Sequence, residues 1–272
     1  MPSLTNSVVV ITGSSRGFGY AMAVEFARAG ARVVLSSRDA VAVKRAVDSL
    51  PNPGNALGMA CDVRDLAQVR ALADAAVAKF GQIDVWINNA GVSPGWGKTL
   101  DIDPVRWRES FETNFFGTAN GCRVALEKML PRKSGHIINI LGAGAKKAAP
   151  NQSAYGTSKT AVARFTETLA QEYADSGIII NSVMPGMIWT EMLASAEGVD
   201  EPRMRARFEW AMRVFGNPPQ VPARFVLQMA QRAQSNGKTF SVLKPTMYVP
   251  RMIGEMMGAG KKNPRPWDKA SN

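Results

Sequence analysis

Six short strand-like runs separated by longer helical stretches constrain this chain more tightly than anything else in it. The runs are Val8–Thr12, Val33–Ser36, Ala56–Cys61, Val85–Asn88, Ile137–Ile140 and Ile178–Val183. Helical patterning fills the gaps at Tyr20–Ala29, Ala40–Leu50, Leu66–Phe80, Trp107–Met129 and Ser158–Ala174. Strands that alternate with helices imply βαβ units, and therefore a parallel sheet covered on both faces. Right-handed crossovers make such a sheet doubly wound. The expectation is an α/β, three-layer, Rossmann-type fold. No internal repeat or low-complexity linker interrupts the pattern, so residues 1–272 are expected to form a single domain.

Past Thr190 the alternation stops. Glu191–Phe215 reads as one or two amphipathic helices rich in Met, Arg and aromatics, and residues 190–220 are expected to form a substrate lid. Pro218, Pro219 and Pro222 lead into a helix near Ala223–Gln234, and Thr239–Leu243 is expected to close the sheet. Residues 250–272 read as a C-terminal extension.

Three features narrow the chemistry. The sole histidine, His136, sits against the apolar run Ile137–Ile140 and reads as a structural residue rather than a general base. Cys61 and Cys122 lack any metal-ligand spacing and read as core residues, so no metal is expected. A formal charge of +11 favours anionic partners: a phosphorylated cofactor, an acidic substrate or a charged surface. Its lysines and arginines are scattered, which argues against nucleic acid. No apolar run is long enough to span a bilayer, and MPSLTNSVVVITG lacks the layout of a cleaved leader, so a cytoplasmic protein is expected.

Four segments carry the functional signal. In Thr12-Gly13-Ser14-Ser15-Arg16-Gly17-Phe18-Gly19, directly after the first strand, glycines allow a tight turn that brings backbone up to a pyrophosphate at a helix N-terminus. The second strand ends in Ser36-Ser37-Arg38, where dinucleotide sheets selective for NAD carry an acid that accepts the ribose 2′-hydroxyl. Hydroxyl and guanidinium groups there, with Arg16 in the turn, suit a 2′-phosphate, so the expected cofactor is NADP(H). The alternative is a pair of solvated arginines. Asp39 is expected to cap the next helix.

The third segment, Asn88-Asn89-Ala90-Gly91, offers amides that brace neighbouring strands and small residues that admit a ribose or adenine, with Asp62-Val63 facing the base. In the fourth, Tyr155-Gly156-Thr157-Ser158-Lys159, positions i and i+4 share one helix face, which puts the Lys159 ammonium beside the Tyr155 phenol. A neighbouring positive charge should lower the phenol pKa toward working pH and suit Tyr155 to proton transfer.

Together Thr12–Gly19, Asp62-Val63, Asn88–Gly91, Asn114, Tyr155-x-x-x-Lys159 and Pro185-Gly186 resemble, in order and spacing, the short-chain dehydrogenase/reductase family over roughly residues 6–190. The resemblance implies an oxidoreductase acting on the CH–OH/C=O couple, with Tyr155 as general acid/base, Lys159 holding the nicotinamide ribose and Asn114 supporting a proton-relay water. It implies that Pro185, Gly186, Ile188 and Thr190 position the nicotinamide, and that the chain forms a homodimer or homotetramer.

One position departs from that pattern. The family's serine, thirteen residues before the tyrosine, is Gly142 here. Losing one donor to an oxyanion costs about 10²–10³ in rate. Gly142, with Ala143 and Gly144, is expected to make room for a bulky apolar substrate, with Ser153 or the amides of Ala143–Ala145 as substitute donors. Alternatively the chain is a catalytically weak NADPH-binding sensor or interaction protein. A narrower resemblance, to chlorophyll b reductases, rests on Trp86–Gly91, Gly135-His136-Ile137, Asn139-Ile140, Gly142-Ala143-Gly144, Pro185-Gly186-Met187 and the stretch from Asn236-Gly237 to Lys244-Pro245-Thr246. It implies reduction of a formyl group on a large flat tetrapyrrole.

Met192, with Met204, Phe208, Trp210, Met212 and Phe215, suits a lid over an apolar substrate or ordinary core packing. Met247, Met252, Met256 and Met257 with Lys261-Lys262 fit either a membrane surface or a protein interface.

Overall fold

A computed structural model of the chain describes residues 4–190, 202–232 and 235–257. Its sheet order is β3-β2-β1-β4-β5-β6-β9, with every pairing parallel. The strands are β1 (Val8–Ile11), β2 (Arg32–Ser37), β3 (Ala56–Ala60), β4 (Val85–Asn88), β5 (Gly135–Ile140), β6 (Ile178–Met184) and β9 (Thr239–Ser241). Helices α1 (Gly17–Arg28), α2 (Ala40–Asp48), α3 (Leu66–Phe80), α4 (Pro104–Phe111), α5 (Gly117–Met129), α6 (Ser153–Glu172) and α8 (Gln220–Arg232) run between them. The doubly wound Rossmann-type sheet is thus present, and its strand order reverses between β1 and β4, where such folds open a crevice at the carboxyl ends of the strands.

Strand periodicity sends successive side chains to opposite faces. Val9, Ile11, Val33, Leu35, Ile87 and Ile138 enter the core under α1, α2 and α8. Val8, Val10, Val34, Trp86, Ile137 and Ile180 enter the core under α3, α5 and α6. Both faces being dry explains why the strands read as near-continuous apolar runs. Asp39 and Asp65 cap α2 and α3 by accepting from backbone N–H groups of the first turn, Asp39 as anticipated.

The polar members of the strands are paired inside the core. Asn88 accepts from Trp86 Nε1 at 2.8 Å and donates to Asn139 Oδ1 at 2.8 Å, and Asn139 donates to Thr166 Oγ1 at 2.9 Å. His136 is buried and has a polar partner in Asn181, and both cysteines are free and buried, as their positions suggested.

The stretch Trp107–Met129 is helical throughout, as expected, with a π-turn, Glu112–Phe116, joining α4 to α5. An unanticipated helix, α9 (Pro245–Met256), runs through Pro250 into the expected C-terminal extension. A two-stranded ladder absent from the sequence reading, β7 (Met187–Ile188) with β8 (Gly216–Asn217), joins the segment after β6 to the end of α7 (Pro202–Phe215). Met192 and the remainder of residues 191–201 lie outside the described residues, so the lid expected over residues 190–220 is described only in part.

Candidate active site

The groove begins at the turn after β1. Gly13 takes φ +63°, and a β-carbon on it would stand 2.7 Å from the Ala90 Cα. Only glycine permits both that dihedral and that approach. The turn is stapled to the segment after β4: Asn89 Nδ2 donates to the carbonyls of Thr12 and Gly13 at 2.9 and 3.0 Å, and Thr12 Oγ1 accepts from the amides of Asn89 and Ala90 at 3.0 and 3.1 Å. Ser15, Arg16, Gly17, Phe18 and Gly19 then lead into α1, whose Arg16 N-cap makes no side-chain capping bond and whose first turn carries no acid. A helix N-terminus left in this state is suited to a phosphate. The segment after β7 arrives at the same place, with Thr190 Cγ2 3.6 Å from where a Gly17 β-carbon would be. Gly17 and Thr190, far apart in sequence, are therefore neighbours, with Pro185, Gly186 and Ile188 leading up to Thr190.

At the other end of the groove stand Ser37, the last residue of β2, Arg38 just after it, and Asp62 and Val63, beyond β3. Arg38 Nη1 is ion-paired with Glu109 at 3.4 Å, and Arg64 reaches the same carboxylate at 3.5 Å. Arg64 also clasps Asp62, and that hydrogen-bonded guanidinium holds the Asp62 carboxyl below its ordinary pKa. Arg64 and Glu109 were not anticipated. Only the fold brings α4 to the end of β2, so no local spacing marked them.

Tyr155 and Lys159 lie in the first two turns of α6. Gly142, at the end of β5, faces the phenol directly: a β-carbon there would lie 2.2 Å from the Tyr155 Oη. Lys159 is buried, donates from Nζ to the Ile140 carbonyl at 3.0 Å, and stands 5.8 Å from the centre of the Tyr155 ring. Gly91 is close as well, since its β-carbon would lie 3.1 Å from Asn114 Oδ1 and 3.5 Å from Lys159 Nζ.

The electrostatics differ from expectation. Burial pushes the Tyr155 phenol up to about 12, and burial also brings the Lys159 ammonium down to about 8. The anticipated lowering of the phenol does not occur here, because desolvation penalises both charged forms.

Asn114, in the π-turn, is fully engaged. Its Oδ1 accepts from the Val92 amide at 2.8 Å, and its Nδ2 donates to the Val92 carbonyl and to Ser110 and Ser158 Oγ, at 3.0, 3.2 and 3.0 Å. Ser110 and Ser158 were likewise not anticipated. The Asn114 side chain clamps the segment after β4 to α4 and α6.

Ser153 does not join Tyr155. Two residues apart on a helix is about 200° around the axis, and Ser153 instead lines a separate 410 Å³ hollow with Lys146, Lys147, Gly156, Thr157 and Thr160. The Ser153 Oγ is buried there without a hydrogen-bond partner, whereas the Ala145 N–H is taken by the Gly142 carbonyl at 3.3 Å. Gly144 packs its backbone against Gly156, and Thr160 donates to its carbonyl at 2.8 Å, fixing the wall that runs from Gly142 through Ala143.

Known proteins share this arrangement. The family model for short chain dehydrogenases matches residues 7–199. A 3beta-hydroxysteroid dehydrogenase 1 of Eggerthella lenta is 37% identical over 81% of this chain and 85% of its own. A chlorophyll(ide) b reductase, NOL, of Oryza sativa subsp. japonica is 34% identical over 90% of this chain and 71% of its own. Among solved structures, an actinorhodin polyketide ketoreductase with NADPH superimposes with a TM-score of 0.81 at 30% identity, covering 90% of this chain and 98% of that one. A 3-ketoacyl-(acyl-carrier-protein) reductase of Brucella melitensis complexed with NADH gives a TM-score of 0.80 at 27% identity, covering 88% and 98%. With its glycine turn, its clamped Asn-Asn-Ala-Gly segment and its Tyr–Lys pair in one groove, the chain belongs to the short-chain dehydrogenase family, as an oxidoreductase of the ketoreductase type.

Proposed function

We propose that this protein is an NADP(H)-dependent reductase of a bulky, apolar carbonyl compound, with Tyr155 as its general acid/base and Lys159 as the residue that orients the sugar beside it. The observation that carries the reading is the Tyr155 hydroxyl set against the bare backbone of Gly142, one helical turn from a buried ammonium. A phenol with a pKa of about 12 is protonated at neutral pH and can give its proton to a carbonyl oxygen as negative charge develops there. Lys159, still largely charged at pH 7, would stabilise the phenolate left behind until solvent returns the proton. Bound along the groove, NADPH supplies the hydride that reaches the carbonyl carbon.

The residues of this chain fit such a cofactor. The glycine turn and the α1 N-terminus would hold the pyrophosphate, Asp62, Val63, Ala90 and Gly91 would flank the adenosine, and Ser37 with Arg38 would meet the 2′-phosphate. Gly142 does not open substrate space as the sequence suggested, because the Tyr155 phenol fills the room beside it and the Gly156 backbone closes that beside Gly144. The reading of a broad substrate rests on both named relatives, which by their names act on rigid polycyclic molecules. We also take the working form to be a homodimer or homotetramer.

A second reading has a specific observation behind it. A chlorophyll(ide) b reductase of Arabidopsis thaliana is 34% identical over 90% of this chain, as the one of Oryza sativa is. That supports a formyl tetrapyrrole as substrate.

Following NADPH oxidation against a panel of steroid ketones, aryl ketones and formyl tetrapyrroles tests both readings. Turnover should appear with at least one polycyclic carbonyl, and Tyr155→Phe should lower it by about 10²–10⁴ while NADPH affinity stays within a few-fold. Undiminished turnover in Tyr155→Phe would remove the assigned role. NADPH binding without any turnover across the panel would favour a sensor instead.

A further inference from the structure

Helix α9 turns its charges inward and its apolar side chains outward. Arg251 donates from Nη1 to the Gly216 carbonyl at 2.9 Å and from Nη2 to Asn217 Oδ1 at 3.2 Å. Glu255 pairs with Arg213 of α7 at 2.9 Å, and Tyr248 packs on Phe215. Arg251 and Glu255 are the only charged residues of α9, and both are used to fasten it to α7 and β8.

The outward face is left apolar. Val249, Ile253 and Met256 follow one another at helical spacing, Met257 comes next, and their exposures are 37%, 50%, 80% and 82%. Trp210 of α7, packed edge-on against Phe215, is also exposed. A lone exposed methionine needs no explanation, but a continuous apolar stripe on a helix whose charges are tied down beneath it does.

The charge before and after this helix in the sequence selects the occupant of the stripe. Lys244 is exposed immediately before the helix. Beyond Met257 the sequence carries Lys261, Lys262, Arg265 and Lys269 against a single acid, Asp268. A second copy on this face would carry the same formal charge of +11, which opposes the pairing. An anionic bilayer would satisfy both the stripe and the basic residues that precede and follow it in the sequence. We propose that α9 docks on an anionic membrane surface, lying in the interfacial plane with Val249, Ile253, Met256 and Met257 buried at the headgroup boundary. Among the described residues no helix is long and apolar enough to cross a membrane, so the contact is peripheral. The inference is independent of the substrate proposed above.

The test is co-sedimentation of the full chain with vesicles of phosphatidylcholine alone, or with about a third phosphatidylserine. The chain should pellet with the acidic vesicles and far less with the neutral ones. The double variant Ile253→Glu/Met256→Glu should bind the acidic vesicles at least about tenfold more weakly. Both side chains are at least half exposed, so its melting temperature and NADPH affinity should stay close to the parent values. Failure to pellet with acidic vesicles, equal pelleting with both compositions, or equal binding by the variant each overturns the proposal. So does a variant whose mass by ultracentrifugation without lipid falls below the parent's, since a second copy would then be what covers the stripe.

Discussion

The Gly142 α-carbon and the Tyr155 hydroxyl are matched to one another: the phenol occupies the space that any larger residue at 142 would need, with a β-carbon falling 2.2 Å from Oη and 2.8 Å from Cζ. Restoring the serine common in this family should therefore not restore a donor. The clash is with the movable end of a side chain, so Gly142→Ser should fold, with the phenol displaced from its place above β5. Turnover should fall by about tenfold or more, since misplacement by about an ångström is costly to an oriented proton donor. A faster Gly142→Ser enzyme in the NADPH oxidation assay would show that the glycine is a defect and not a fit.

On the proposed mechanism, Lys159 should set the alkaline limit of reduction. Burial brings its ammonium to about 8, whereas the Tyr155 phenol at about 12 remains protonated well beyond that. As pH rises through 8, the positive charge disappears while the proton donor persists. Reductive kcat/KM should fall with an apparent pKa near 8 from loss of the cation, not of the acid. Lys159→Arg, which keeps its charge at all these pH values, should be slower at neutral pH yet lack that decline. A parent profile flat from about pH 7 to 9.5 would contradict the assignment.

Arg38 is engaged by Glu109 at 3.4 Å, and this exposed pair contributes little to stability. Its consequence is for cofactor choice. A 2′-phosphate has to compete with the Glu109 carboxylate for the same guanidinium. Arg38→Ala should weaken NADPH by about ten- to a hundredfold and NADH by less than about threefold, in line with the loss of one charge-assisted hydrogen bond. Glu109→Gln should move the other way and tighten NADPH modestly. Fluorescence titration with both dinucleotides gives the comparison, and equal losses for the two in Arg38→Ala would leave no case for the 2′-phosphate.

What could be read in the sequence was whatever is encoded locally. The apolar strands announced themselves because both sheet faces are dry, and Gly13 and Gly17 because a turn at positive φ selects glycine. Leu66–Phe80 was legible to the residue, with Asp65 before it and Gly81 after it. The π-turn that seats Asn114 was not, since composition marks the stretch as helical without showing which carbonyl each amide reaches. Nor was α9, which tertiary contacts from Tyr248, Arg251 and Glu255 hold together through the proline at 250. The direction of the Tyr155 shift was missed for a related reason: spacing shows which charge stands nearby, while desolvation depends on everything packed around it. Arg64 and Glu109 meet Arg38 only after β2, β3 and α4 converge, which no window of sequence displays.

His136 should appear in the acid stability of the fold. It is buried in β5, its Nε2 accepts from Asn181 Nδ2 at 3.3 Å, and the Asn181 amide is fixed in that orientation because its Oδ1 accepts from the Lys238 amide at 2.8 Å. Burial lowers the imidazole pKa from 6.5 to about 4. Between those values the unfolded chain binds a proton that the folded chain refuses, so folding stability is complete above pH 6.5 and declines as pH falls toward 4. The full loss from this one group amounts to about 3 kcal/mol. Carboxylates add slopes of their own, so the informative quantity is a difference. His136→Gln keeps an acceptor for Asn181 but has nothing to titrate, and urea unfolding at several pH values should show its stability falling less steeply than the parent's by about one proton across this window. Parallel curves would mean that the folded protein protonates His136 as readily as the unfolded chain does, and the buried neutral imidazole would have to be abandoned.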